Sequence, residues 1–151
     1  MNFPFPEPMA HALQLAAAAG RAGAVPVAAV IVQDGEIIAT GVNAAPGGHD
    51  PTAHAEIIAI RNAAARLSQD KLEGCDIWVT LEPCPMCAGA IVHARLARLY
   101  YGADDPKGGA VEHGARLFAQ PNCNHRPEIY GGIGANEAGK LLREFFANRR
   151  V

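Results

Sequence analysis

Residues 25–42, which read VPVAAVIVQDGEIIATGV, decide the fold class of this chain. The segment 25–32 is a nearly continuous run of β-branched residues and alanine, as expected for a strand that is buried on both faces. Asp34 and Gly35 form a strong hairpin signal, and the segment 36–42 returns as a second strand. The stretch therefore predicts an antiparallel pair of strands at the beginning of a sheet.

On both sides of this hairpin the chain alternates between helical and extended patterns. Predicted helices cover residues 9–21, 53–67, about 83–94 and 135–149, and further strands are predicted at residues 76–81, 96–101 and 128–130. Thr52 is the expected N-cap of the second helix, and Pro83 is expected in the first turn of the third. The pattern predicts an α/β protein whose mixed sheet is covered by helices, in a single domain spanning residues 1–151.

The composition limits the classes of function that the chain can have. Half of the 151 residues are hydrophobic and 19% are charged, which is ordinary for a globular domain large enough to fold unaided. The formal net charge of −2 gives no general attraction for a polyanion, so nucleic-acid binding would need a local basic patch and stacking surfaces. No uncharged apolar run approaches the ~20 residues of a transmembrane helix. We therefore expect no membrane segment. Four cysteines do not suggest a disulfide framework in a chain of this size, so we expect the protein to be cytoplasmic.

Two short segments, HAE at residues 54–56 and PCPMC at residues 83–87, contain the residue types that bind zinc. Neutral imidazole and thiolate are preferred zinc ligands, and a site with three protein ligands keeps a fourth tetrahedral position for water, as catalytic sites do. Cys84 and Cys87 lie three residues apart, so they share one face of a helix. We expect both, like His54, in a first helical turn, where the helix dipole favours thiolate. The sequence predicts one Zn²⁺ per subunit, held by these three residues.

Glu56 is predicted to act beside this metal as the catalytic carboxylate. It follows His54 by two positions, and residues at that spacing do not face the same way on a helix. A carboxylate that is next to zinc but not bound to it can move protons between water and a substrate.

Two other interpretations of the same residues remain open at this point. A closed structural zinc site would need a fourth ligand, for which the candidates are His49, Cys75, Cys123 and His125. Structural sites more often use two ligand pairs, and the chain has no second pair at Cys-x₂-Cys or His-x₃₋₅-His spacing. Alternatively, the two cysteines of PCPMC form a redox pair, in which case the neighbouring histidine and glutamate are coincidental.

Six segments spread over nearly the whole chain carry a family resemblance. They are VPV at 25–27, DPTAHAE at 50–56, TLEPCPMCAGA at 80–90, YGADDPKGGA at 101–110, NHR at 124–126 and FFANRR at 145–150. Together they resemble the tRNA-specific adenosine deaminases of bacteria, in the cytidine-deaminase superfamily. The zinc motif is typical of the superfamily, whereas the later segments distinguish the tRNA enzymes from relatives that act on free bases or nucleosides.

This resemblance implies a three-layer α/β/α sandwich with a five-stranded mixed sheet, a homodimer, and conversion of adenosine to inosine at the wobble position of a tRNA anticodon. The residues that it places around the target base are Val27, Asn43 and Ala55. The residues that it places against the anticodon stem-loop, partly across the dimer, are Asp105, Lys107, Phe146 and Arg150. All these assignments are what the family resemblance implies.

Two rival functions share parts of this pattern. A deaminase of a free nucleobase or nucleoside, of the guanine or cytosine type, would use the same zinc centre, and the negative net charge and the chain end directly after Arg149 and Arg150 favour it. A non-enzymatic zinc module would instead have four protein ligands and no accessible metal-bound water.

Overall fold

The structure is a computed structural model that describes residues 5–149. In this range the chain forms four α-helices and five β-strands, with a short 3₁₀ helix at Leu117–Ala119. In chain order they are α1 (Glu7–Arg21), β1 (Ala28–Gln33), β2 (Glu36–Val42), α2 (Ala55–Leu67), β3 (Cys75–Leu81), α3 (Pro85–Ala94), β4 (Arg98–Ala103), β5 (Glu128–Tyr130) and α4 (Ala135–Ala147).

The five strands form one mixed sheet in the order β2-β1-β3-β4-β5. Strand β1 is antiparallel to both of its neighbours, whereas β3, β4 and β5 are parallel to one another. The hairpin between β1 and β2 turns at Asp34 and Gly35, whose φ angles of 52° and 77° both lie in the left-handed region. This geometry matches the twist of the paired strands, so the hairpin signal in the sequence is confirmed.

Helices cover both faces of the sheet. Along β1, Ala29 and Ile31 pack in the core on the side of α2 and α3, whereas Ala28 and Val30 pack on the side of α1 and α4. The prediction that this strand is buried on both faces is therefore confirmed, as is the α/β/α sandwich with a five-stranded mixed sheet. Within residues 5–149, no helix combines the length and the apolar character that a membrane span requires.

The starts of the two central helices differ from the sequence prediction. His54, and not Thr52, occupies the N-cap position of α2. Thr52 is held in the preceding turn by hydrogen bonds of 2.9 Å and 2.7 Å from its amide and hydroxyl to Asp50 Oδ1. Helix α3 begins at Pro85, where a fixed φ suits the first helical position. A residue before proline is driven out of the helical region, so Cys84 becomes the N-cap in an extended conformation. The predictions for Thr52 and Pro83 were wrong.

Gly41 allows α2 to lie unusually close to β2. A Cβ atom at this position would lie 2.4 Å from the carbonyl oxygen of Ala55 and 2.6 Å from the amide nitrogen of Ala59. Both distances are shorter than real Cβ contacts allow, so only glycine fits without moving the helix. The close approach fixes the position of the first turn of α2, which carries Ala55 and Glu56.

Candidate active site

The directions of the strands bring three separate segments together. Strands β2, β3 and β4 run the same way, because β1 is antiparallel to both β2 and β3 and β4 is parallel to β3. Their carboxyl ends therefore lie at the same end of the sheet. The chain leaves β2 through residues 43–54 into α2, leaves β3 directly into α3, and leaves β4 through residues 104–113.

The residues predicted to bind zinc meet at this end of the sheet. His54 Nδ1 lies 3.5 Å from Cys84 Sγ and 3.5 Å from Cys87 Sγ. Tetrahedral zinc with bonds of roughly 2.3 Å to sulfur and 2.0–2.1 Å to nitrogen places these atoms ~3.6 Å apart, so the arrangement fits the ion. Cys87 is buried, whereas His54 and Cys84 are partly open to solvent.

The suggested fourth ligands are not part of this group. Among residues 5–149, the ligand atoms that lie within 4.8 Å of one another here come from the three residues just named. Cys75 is at the opposite end of β3, His125 Nε2 is hydrogen-bonded to the carbonyl of Leu96, and the Cys123 thiol donates to the carbonyl of His125. His49 lies on the exposed loop before α2. The geometry thus favours three protein ligands over a closed site with four. It also argues against a redox pair, because two cysteines that form a disulfide do not need an imidazole within 3.5 Å of both sulfurs.

The two cysteines share a proton unequally. A hydrogen bond from the Cys87 thiol lowers the pKa of Cys84 to about 5, with further help from His54. Donating that hydrogen bond, together with burial, raises the pKa of Cys87 above its ordinary value. A cation bound between them replaces the shared proton, because zinc binds the thiolate form.

Glu56 lies in the first turn of α2 and is buried, although it carries a carboxylate. Burial raises the pKa of Glu56 to about 7, and the nearby charge of Cys84 acts in the same direction. It stands outside the group of three candidate ligands. A carboxyl group with a pKa near neutrality can both accept and donate a proton, which is the property required of a general acid–base residue.

An open cleft of about 490 Å³ lies next to His54 and is lined by Asn43, residues 44–51 and Ala53. The side-chain Oδ1 of Asn43 accepts a 2.8 Å hydrogen bond from the backbone amide of Ala55 and so caps α2. The backbone amide of Asn43 donates to the carbonyl of Val27 at 3.2 Å. Val27 and Ala55 are buried behind Asn43 and do not line the cleft. The three residues predicted to surround the base are therefore linked, with Asn43 facing the open space.

Comparison with known proteins places this geometry in a family. The model for the cytidine and deoxycytidylate deaminase zinc-binding region matches residues 6–103. A tRNA-specific adenosine deaminase of Agrobacterium fabrum is 52% identical over 143 residues, which cover 95% of this chain and 94% of the relative. The chain belongs to the tRNA-specific adenosine deaminase family. It therefore carries the zinc-binding region that gives the wider family its description.

Solved structures agree with this membership. A structure from studies of A-to-I editing by tRNA:A34 deaminases at the wobble position of transfer RNA has a TM-score of 0.84 and 53% identity, covering 87% of this chain and 95% of its own. A guanine deaminase from Nitrosomonas europaea has a TM-score of 0.76 at only 27% identity, covering 97% of this chain and 86% of its own. The deaminase fold is common to both, and the higher identity lies with the tRNA deaminases.

The residues that the resemblance places against RNA lie in two parts of this deaminase. Asp105 and Lys107 follow β4; Lys107 is exposed, whereas Asp105 Oδ1 accepts a hydrogen bond from the amide of Gly108 and so closes a turn. Phe146 on α4 is 49% exposed and packs edge-to-face on the buried Phe145. Arg150 lies outside the described residues, so its predicted contact stays a prediction.

Sequence reasoning missed Glu82 and the partner of His113. Glu82 follows β3 directly, and its side chain is fully buried. Burial alone would raise its pKa, but hydrogen bonds from the Asp105 amide, the His113 ring and other amides hold the pKa below its usual range. The same hydrogen bond to Glu82 raises the pKa of His113. Glu82 could have been found from the sequence, because it is a charged residue at the end of a predicted strand and immediately before the metal-binding motif.

Proposed function

We propose that this deaminase converts adenosine to inosine at the wobble position of a tRNA anticodon by hydrolysis. The observation that carries the proposal is the 52% identity to a tRNA-specific adenosine deaminase over 95% of the chain. Similarity to the guanine deaminase covers 97% of this chain but reaches only 27% identity, so it supports the common fold more than the same substrate.

In this proposal His54, Cys84 and Cys87 hold one zinc ion, for which their spacing is suited. Zinc held by these residues would lower the pKa of a water molecule and so would supply a nucleophile near neutral pH. Cys87 is buried and keeps bulk water away from one side, while the partly open sides of the other two residues leave room for a substrate.

Glu56 performs the proton transfers. It accepts a proton from the attacking water and delivers it to adenine N1, which makes C6 more electrophilic. The water oxygen bonds to C6, Glu56 moves the remaining water proton from that oxygen to the exocyclic amino group, and the C6–N bond breaks to release ammonia. Adenosine and water thus give inosine and ammonia, with Glu56 returned to its starting state. Its burial beside the candidate ligands supports this role.

Asn43 orients the base at the mouth of the cleft. Its Oδ1 is occupied by the amide of Ala55, so Nδ2 is the group that remains to donate to a base or ribose. Val27 and Ala55 form the packed support behind it. The target nucleotide reaches this position cheaply, because an anticodon loop is already single-stranded.

Lys107 and Phe146 contact the RNA in this proposal, together with Arg150. Both described residues are exposed, and they offer a phosphate contact and a stacking surface, respectively. Asp105 acts by closing the turn that presents Lys107. A homodimer and a cytoplasmic location complete the proposal and rest on the family resemblance.

The test is to incubate the zinc-loaded protein with an anticodon stem-loop carrying a wobble adenosine, and to measure ammonia release. A stem-loop with cytidine at the same position is the matched control, and free adenosine, guanine and cytosine are tested separately. Turnover of the adenosine stem-loop alone supports the proposal. Turnover of a free base with the stem-loop untouched would refute it and would favour nucleobase deamination at the same centre.

A further inference from the structure

Glu82 is a buried carboxylate at the junction between strand β3 and the metal-binding helix. Its side chain has no exposed surface, and it precedes Cys84 by two residues. An ionised carboxylate in such a place is costly unless hydrogen bonds compensate for the lost water. The donors around it therefore reveal what this residue does.

All the donors that the structure gives to Glu82 come from residues 104–113, here called the 104–113 loop. Oε1 accepts from the amide of Asp105 at 3.0 Å and from His113 Nδ1 at 2.7 Å. Oε2 accepts from three consecutive amides, Val111 at 3.1 Å, Glu112 at 3.0 Å and His113 at 3.1 Å. Five donors to one carboxylate bind both ends of the loop to a single point.

The loop also packs around this carboxylate so closely that one position must be glycine. A Cβ atom at Gly109 would lie 2.6 Å from Glu82 Cδ and 2.5 Å from the carbonyl oxygen of Asp105. The next residue, Ala110, donates its amide to the carbonyl of Pro83 at 2.8 Å. The loop is therefore attached to the residues that immediately precede Cys84.

These contacts also decide against a second metal site. Glu82, Asp104 and His113 have ligand atoms close enough to hold an ion. However, both oxygens of Glu82 already accept hydrogen bonds from N–H groups that point at them, and an ion would have to displace those donors. The arrangement suits a carboxylate that organises a loop.

We propose that Glu82 is the positioning residue that fixes the 104–113 loop, and with it Lys107, relative to Cys84 and Cys87. The inference rests on the proposed function, because it assigns the loop to RNA binding. Between its two bound ends the loop carries Lys107 on the exposed turn closed by Asp105. A loop held in its binding conformation before RNA arrives loses less freedom on binding, so affinity depends on the clamp.

The experiment uses Glu82→Gln in the zinc-loaded full chain, because glutamine keeps the size but offers one acceptor oxygen instead of two. For the adenosine stem-loop we expect KM to rise about tenfold, because amides of the loop lose the charged acceptor that holds them in place. At saturating RNA, kcat and the zinc content should stay close to those of the unchanged protein. Glu73→Gln, the same change at an exposed residue outside the site, is the matched control.

If Glu82 served only to stabilise the fold, its replacement would change kcat and zinc content and not KM. A partial loss of folded protein would lower the apparent kcat and the zinc content together, while the protein that still folds would keep an unchanged KM, and an unchanged KM would overturn the proposal. His113→Ala removes one of the five donors from a side chain that is 35% exposed, so it tests the clamp even if Glu82→Gln fails to fold. It should raise KM by a few-fold. An unchanged KM in His113→Ala, or in Glu82→Gln when that protein folds, would also contradict the clamp.

Two further measurements separate this inference from the proposed function. In a Lys107→Ala background the effect of Glu82→Gln on KM should shrink, since both changes act through the same loop; full additivity would speak against the clamp. Hydrogen exchange at the amides of Asp105 and residues 111–113 should be faster in Glu82→Gln without any RNA present. If the unchanged protein ignores the stem-loop, the proposed function fails, while amide exchange still reports whether Glu82 fixes the loop.

Discussion

Replacing Asn43 with alanine removes the side-chain oxygen that accepts the amide hydrogen of Ala55 at 2.8 Å. Ala55 is the first residue of α2 and is fully buried, and the N-cap residue His54 makes no side-chain cap hydrogen bond. A buried amide left without its partner costs about 1–3 kcal/mol. In a chain of 151 residues each kcal/mol lowers Tm by about 2–4 °C, so Asn43→Ala should lower Tm by roughly 2–12 °C.

The matched variant Asn43→Asp separates the two roles of this residue. Aspartate keeps an oxygen for the Ala55 amide, and a negative charge suits a helix N-terminus, so Tm should remain near that of the unchanged protein. It lacks the Nδ2 donor, so turnover of the stem-loop should fall as it does in Asn43→Ala. Thermal unfolding of the zinc-loaded proteins, together with stem-loop kinetics, measures both effects. Equal loss of Tm in the two variants would refute the capping argument, and full turnover by Asn43→Asp would refute the donor role.

Four other changes test the site and its support. Glu56→Gln should keep one zinc per chain and lower kcat at least about 100-fold, measured by metal analysis and ammonia release; near-normal turnover would refute its proton-transfer role. Cys87→Ala should reduce both zinc content and turnover, whereas retention of a full zinc equivalent would exclude this residue as a ligand. Gly41→Ala should destabilise the fold by about 1–3 kcal/mol in denaturant unfolding, because its Cβ would meet the Ala55 carbonyl at 2.4 Å; an unchanged midpoint would contradict that packing. Stem-loop affinity should fall with added salt, and Lys107→Ala should reduce the slope of log K against log salt by about 1, so an unchanged slope would exclude a phosphate contact.

Local sequence signals predicted the elements that depend on local chemistry. The segment 36–42 forms β2 with the predicted bounds, because the turn at Asp34 and Gly35 fixes its beginning. The ligand spacing of Cys84 and Cys87 also survives, although Cys84 is an N-cap residue. Residues three positions apart at the start of a helix remain neighbours whether or not the first of them is helical.

The sequence patterns missed contacts in which one side chain selects a particular hydrogen-bond donor, near or far along the chain. Threonine is a residue type that is common at N-cap positions, but the amide and hydroxyl of Thr52 donate hydrogen bonds to the carboxylate of Asp50. The hydrogen bond from Ala55 to Asn43 spans 12 positions. The donors to Glu82 lie 23 to 31 positions further along the chain. No periodic pattern encodes such pairs, because most of the donors are backbone amides, which every residue except proline carries.

Local sequence signals also leave open the relative direction of the strands, and the geometry of the site depends on it. If β1 were parallel to β3, its hairpin partner β2 would run in the opposite direction, and the loop after β2 would emerge at the far end of the sheet. His54 and Glu56 would then lie a full strand length from Cys84 and Cys87. A strand of seven residues spans about 23 Å, far beyond the reach of any shared ion. The antiparallel placement of β1 between β2 and β3 is therefore a requirement of the chemistry as well as of the fold. The parallel pairing of β3 and β4 brings the 104–113 loop to the same end, where Glu82 can hold it beside the candidate metal ligands.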